Sequence, residues 1–355
     1  MTQGNALKVV QACGIKGKSI PVKKDFGTMT IQDKVHLIEH IFISHPQLKN
    51  IVAKIDECHQ DSKISTEPKC LFITGRPGCG KTTIARFYES RYPRKTTAGG
   101  TEIPVLSSTI FSPATVKGMA TGLLYSLGDP LADKGTITSQ TLRLYNLIKD
   151  CKTELIVLDE FQHLIDKDSN KVLQVASDWL KNLLNETAVP MVLIGMPTSV
   201  KILDANEQLR RRFLTRMSLK PFGWNTEREQ KDFITLLKFI EKALPLKEIS
   251  GLYSYETAFR LYCASRGVIS NLMKIVRRAA ILAVRKGLER ISPDLLIVAY
   301  EDEMETSGVV PGNPFMMDRD KLTAPQPDQD DEKGQKKSVR ERAKTKLSDV
   351  LSTRN

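Results

Sequence analysis

The residues Gly75-Arg76-Pro77-Gly78-Cys79-Gly80-Lys81-Thr82 combine types and spacing in a way that specifies a chemistry. They complete the pattern G-x-x-x-x-G-K-T between an apolar run, Cys70-Leu71-Phe72-Ile73, and a helix-forming one, Thr83-Ile84-Ala85-Arg86-Phe87. Strand, glycine loop and helix form the context in which this pattern is meaningful. Gly75, Gly78 and Gly80 allow backbone angles that a Cβ would forbid, so successive N–H groups can turn inward around a phosphate. A helix starting near Lys81 adds its positive dipole end. In that setting Lys81 reaches the β- and γ-phosphates as a point charge, and the Thr82 hydroxyl holds Mg²⁺. A glycine turn that binds nothing would need strand, spacing, Lys and Thr to coincide by chance. The stretch therefore predicts a nucleoside triphosphate site.

Leu155-Ile156-Val157-Leu158-Asp159-Glu160 supplies the second half of that chemistry. Four apolar residues ending in two carboxylates describe a strand buried on both faces, whose C-terminal end delivers acids to a phosphate site. Asp159 is expected to hold Mg²⁺ through water, and Glu160 to orient and polarise an attacking water. The plainer alternative, a core strand whose acids merely open a loop, loses ground to the complete glycine loop upstream. Beyond a further strand candidate, Val189-Pro190-Met191-Val192-Leu193-Ile194-Gly195, Thr198 and Ser199 offer polar groups to a γ-phosphate. Glu207-Gln208-Leu209-Arg210-Arg211-Arg212-Phe213 then sets three cations in a row. Most arginine clusters are solvated faces, yet phosphoryl transfer gains about 10³–10⁵-fold from a cation supplied to the developing charge. The strands otherwise lack such a residue.

The elements that must position these groups alternate. Two helices, around Val35, Ile38, Ile41 and Phe42 and then around Leu48, Ile51, Val52 and Ile55, lead into the first strand. A second strand, Ile103-Pro104-Val105-Leu106-Ser107-Ser108, precedes a helix starting near Ser112-Pro113-Ala114 that carries Val116, Met119, Leu123, Leu124 and Leu127 inward and leaves Lys117 outside. The turn Asp133-Lys134-Gly135-Thr136 follows, then a helix with Leu142, Tyr145, Leu147 and Ile148, and later one with Val175, Trp179, Leu180, Leu183 and Leu184. This alternation predicts an α/β fold with a parallel sheet in three layers. From about Gly223 the pattern becomes helical, and past about Ser307 it loses periodicity and gains Pro, Asp, Gln and Lys. The reading is an N-terminal arm with helices over 1–50, a nucleotide-binding core over 51–222, a small helical lid over 223–306, and a disordered partner-binding tail over 307–355. Within the tail, Val339, Ala343, Leu347 and Leu351 fall at four-residue steps that suit a short helix on a partner. The basic lead-in from Gly14 to Lys24 suits an extended arm or a solvated terminus equally.

At 355 residues and 41% hydrophobic content the chain has material for two packed domains. Its 53 Lys+Arg against 41 Asp+Glu favour a polyanionic partner. Six scattered cysteines with no C-x-x-C suit a reducing compartment, and His36, His40 and His45 read as surface residues rather than metal ligands. With no signal-peptide core and no membrane-length apolar run, the expectation is a cytoplasmic protein.

Glycine loop, acid-tipped strand, arginine cluster and helical lid together resemble the AAA+ ATPases. Leu158-Asp159-Glu160-Phe161-Gln162-His163-Leu164, Val192-Leu193-Ile194-Gly195, Gln208-Leu209 with Arg212-Phe213, Leu244-Pro245-Leu246 and Gly267-Val268-Ile269 narrow the likeness. They fall in the order seen in the TniB/TnsC transposition regulators of Tn-type and CRISPR-associated transposons, relatives of the phage Mu B protein. The similarity runs from about Lys18 to Glu301. It implies an ATP-hydrolysing protein that assembles as rings or filaments on duplex DNA and links a target selector to the transposase. Carried onto this chain, it implies ATP contacts from Gly75 to Thr83 and at Thr198, Mg²⁺ at Thr82 and Asp159, and hydrolysis by Lys81 and Glu160. Arg212 resembles the finger supplied by an adjacent subunit, and Lys117, Lys134 and Thr136 resemble contacts to the DNA backbone. Gly195-Met196 stands where many relatives carry Gly-Thr, and Asn271 near where many AAA+ proteins place a sensing Arg, which puts the sensor residues in doubt. Two competing readings share the core: a helicase loader or replication-initiation ATPase, which would prefer single strands, and a non-hydrolysing adaptor that binds ATP structurally.

Overall fold

The computed structural model describes residue 26 and residues 29–61, 67–112, 114–164, 170–204, 206–304 and 312–325. The basic lead-in, the charged runs beyond 325 and the Val339–Leu351 helix lie outside the described residues. Strands are Leu71–Gly75 (β1), Lys95–Thr97 (β2), Gly100–Glu102 (β3), Val105–Thr109 (β4), Leu155–Asp159 (β5), Met191–Gly195 (β6) and Thr215–Leu219 (β7). Five of them form one sheet in the order β4-β5-β6-β1-β7, while β2 and β3 make a separate antiparallel hairpin. Every pairing in the large sheet is parallel. β5 and β6 are buried along their whole length, which is why they read as unbroken apolar runs.

Two compact units emerge, one of residues Ser44–Lys220 and the other joining the chain up to Ile43 with that from Pro221 onward. Helix Ile31–Glu39 (α1) belongs to the second unit. The first carries the sheet with Pro46–Asp61 (α2), Lys81–Ser90 (α3), Val116–Leu127 (α4), Ile137–Asp150 (α5), Asn170–Thr187 (α6), Val200–Asp204 (α7) and Glu207–Arg212 (α8). α4 begins later than the Ser112-Pro113 signal suggests, because the Thr115 hydroxyl accepts the Gly118 N–H at 3.0 Å and caps it. Leu142 and Val175 turn outward. In α5 the buried stripe is Gln140, Leu144 and Ile148, a four-residue step that leaves Leu142 on the far side.

The second unit is helical. α1 is closed by a capping box between Thr30 and Asp33, and Arg277 Nη2 donates to Ile41 O at 2.9 Å just beyond it. Glu227–Ala243 (α9), Tyr255–Ser265 (α10), Ile269–Arg285 (α11) and Pro293–Met304 (α12) complete it. The Trp224 ring lies 5.3–5.8 Å from those of Phe233, Tyr255, Phe259 and Tyr262. One expectation is corrected here. The composition past Ser307 predicts a disordered tail, yet residues 312–325 form a strap on this unit. Arg260 Nη1 donates to Pro314 O and Met317 O, the Tyr262 hydroxyl to Pro325 O, Arg319 lies over the Phe259 ring, and Leu322 is buried. Its anchors recur at no helical or strand period, so the sequence pattern carries no sign of them.

Candidate nucleotide site

β1 delivers the glycine loop at its C-terminal end, and α3 leaves it. Gly78 (φ 77°) and Gly80 (φ 98°) occupy left-handed backbone, the second as the cap of α3. A Cβ at Gly75 would lie 2.8 Å from the backbone oxygen of Leu219 on β7, so that glycine is required by the close approach of the neighbouring strand. Lys81 is only 7% exposed, and its Nζ donates to Gly75 O (2.8 Å) and Arg76 O (3.0 Å). The ammonium thus sits across the loop it must serve. Burial lowers its pKa, and the nearby Glu160 above all opposes that, with Asp159 acting in the same direction. Thr82 is half-buried at the first turn of α3; Pro77 and Thr83 are exposed.

β5 runs beside β6 and carries Asp159 to the same edge. Asp159 is 2% exposed. Its Oδ1 accepts the Glu160 N–H at 2.8 Å, while its Oδ2 is buried without a hydrogen-bond partner. Burial raises its pKa, and the Thr82 hydroxyl is close enough to counter this in part. A buried carboxylate beside a threonine hydroxyl is an oxygen ligand set that fits a hard divalent cation. Glu160 adopts left-handed backbone (φ 58°), turning its side chain away from the strand direction. Gln162 Nε2 donates to Glu160 Oε2, and His163 Nε2 lies 3.9 Å from the same oxygen. Thr82 and Asp159 also line a cleft of about 520 Å³ together with Arg86, Glu89 and Tyr125.

The other sequence-derived residues fall in three places. Thr198 is exposed in the 3₁₀ turn Pro197–Ser199 after β6, with Ser199 buried behind it. Arg212 ends α8; its backbone oxygen accepts from Cys70, which precedes β1, and its Nη1 lies 3.3 Å from Glu67 Oε2. It therefore stands at the end of β1 opposite Lys81 and is not part of the same chain's site. Lys117 and Thr136 open α4 and α5, and both are exposed. Lys117 contributes, after Lys134, to holding the Asp133 carboxyl below its usual range, so the three lie near one another. The Thr136 hydroxyl accepts the Ser139 N–H and caps α5.

Two residues were not singled out by sequence. Arg143 grips the turn between α4 and α5, donating to Asp129 Oδ2 (2.9 Å), Leu131 O (2.6 Å) and Lys134 O (3.3 Å). Gln162 joins Glu160 to Met196 N–H at 3.1 Å. Arg143 acts on residues 9 to 14 positions upstream and Gln162 on Met196, 34 positions downstream, so no local pattern marks either.

Residues 35–223 match the family described as bacterial TniB protein. No curated protein matches the sequence. Among solved structures, the Aeropyrum pernix ORC2 protein in its ADPNP-ADP complexes superposes with a TM-score of 0.55 at 15% identity, over 76% of this chain and 72% of that one. Cdc6p from Pyrobaculum aerophilum gives 0.56 at 16%, over 76% and 71%. The Aeropyrum pernix ORC1 protein in complex with DNA gives 0.50 at 17%, over 76% and 69%. These likenesses establish the AAA+ P-loop fold. Among the described residues no helix is long and apolar enough to cross a membrane.

Proposed function

The chain belongs to the TniB family of bacterial proteins, and from that premise we propose an ATP-hydrolysing regulator of DNA transposition that assembles on duplex DNA and links a target-selecting protein to a transposase. The observation that carries the nucleotide chemistry is the meeting of Lys81, Thr82 and the incompletely satisfied Asp159 at the mouth of a glycine loop. Lys81 exchanges its two carbonyl partners for phosphate oxygens. Thr82, and Asp159 through water, would hold Mg²⁺, which would supply charge neutralisation at the phosphates. Glu160 orients the attacking water and accepts its proton. Arg76, Pro77, Cys79 and Thr83 line the loop around the phosphates, and Thr198 faces the γ-phosphate from the turn after β6.

Arg212, standing at the far end of β1, completes a site only in a neighbouring copy. Hydrolysis is then coupled to assembly. Lys117, Lys134 and Thr136 present cations, a hydroxyl and two helix N-termini to the DNA backbone. Such contacts ignore sequence and weaken with salt. The cytoplasm is the compartment in which these partners meet.

The test is assembly. A non-hydrolysable ATP analogue should make the purified protein assemble on unrelated duplex DNA, and Lys117→Ala with Thr136→Ala should abolish this while nucleotide binding survives. Assembly that ignores nucleotide, or a double variant that assembles like the parent, overturns the reading.

A further inference from the structure

Glu160 sits in backbone that a side chain with a Cβ enters at a cost, so something must hold it there. Its N–H is fixed by Asp159 Oδ1. Its carboxylate is fixed by Gln162, whose amide uses both ends: Nε2 donates to Glu160 Oε2, and Oε1 accepts the Met196 N–H. Reversed, the amide would set its oxygen against a carboxylate and its N–H₂ against another N–H, so these partners dictate its orientation.

The space for this amide exists because position 195 is glycine. A Cβ there would lie 3.2 Å from Gln162 Oε1, 3.2 Å from Phe161 Cβ and 2.6 Å from Ser199 Oγ. The Ser199 hydroxyl is itself buried without a hydrogen-bond partner. The end of β6, the turn bearing Thr198 and the acid at the end of β5 thus share one side chain. The charged or titratable groups facing Glu160 are Lys81 on α3, Asp159 on β5 and His163 beside it.

We infer that Gln162 is a positioning residue for Glu160, coupling the acid that orients water to the turn after β6. The inference rests on the reading of Glu160 given above. It yields a contrast between two substitutions. Gln162→Ala removes both contacts. Gln162→Glu keeps an acceptor for Met196 but turns a carboxylate toward Glu160.

ATP turnover with duplex DNA, affinity for a fluorescent ATP analogue and melting temperature are measured for both, with Glu160→Gln alongside. Positioning predicts that both Gln162 variants lose kcat by about 10- to 100-fold, the cost of a small misplacement of a reacting group. KM and analogue affinity stay at the parent's values. A Gln162→Glu protein that turns over like the parent shows that the amide only pins the turn, and overturns the inference. If Gln162→Ala fails to fold, Gln162→Glu still decides. If Glu160→Gln itself turns over at the parent rate, the role of Glu160 falls, and this inference with it.

Discussion

His45 gives the sharpest stability prediction. It is buried immediately before α2, its Nδ1 accepts the Leu48 N–H at 3.4 Å, and its carbonyl accepts the Lys49 N–H at 3.0 Å. It therefore caps α2, and only an unprotonated Nδ1 performs that role. Protonation would add a cation at a helix N-terminus and charge a ring out of contact with water. Burial accordingly lowers its pKa from 6.5 to about 4. The unfolded chain takes up the proton first as pH falls, so the contribution is complete above about pH 6.5 and is lost toward pH 4. That displacement corresponds to about 3 kcal/mol of the core unit's stability. Urea unfolding at pH 7.5 and pH 4.5 measures it. In His45→Asn, which keeps a neutral capping oxygen, stability at pH 7.5 falls through lost packing, but the loss between the two pH values shrinks by most of that 3 kcal/mol. Parallel pH dependences in parent and variant would refute the argument.

Arg143→Lys keeps the charge but not the planar fork that grips Leu131 O and Lys134 O. If Lys117, Lys134 and Thr136 contact DNA as proposed, affinity should drop several-fold with an unchanged salt slope in a filter or anisotropy titration, because those contacts would be mispositioned rather than removed. Leu322→Ala should destabilise the helical unit by about 2–4 kcal/mol. The loss is read from Trp224 fluorescence in a Trp179→Phe background, since these are the chain's two tryptophans. Binding of nucleotide to the core should persist.

What the sequence reveals follows from where the physics is local. The glycine loop is legible because backbone freedom, a lysine and a helix start must coincide within a few residues. β5 and β6 are legible because strands buried on both faces read as apolar runs. β7 has no such signature: Thr-Arg-Met-Ser-Leu is an edge strand with Thr215 and Arg216 exposed, and it is held by pairing with β1 rather than by its own pattern. The β2-β3 hairpin is exposed and equally silent. His45 illustrates the converse error. A histidine at the border of a helix reads as surface, whereas His45 is buried and caps α2 through its ring.

The site's remaining tension is electrostatic. Among the described residues Asp159 carries the one carboxylate oxygen that is buried without a hydrogen-bond partner. An apolar residue there would extend the run Leu155-Ile156-Val157-Leu158 and avoid that cost of desolvation. An acid at position 159 thus costs the fold something, which agrees with the proposed role of Asp159 in holding Mg²⁺. Asp159→Asn should accordingly leave the nucleotide-free core at least as stable as the parent, while weakening Mg²⁺-dependent nucleotide binding. A variant that lost stability but kept such binding would turn this reasoning upside down.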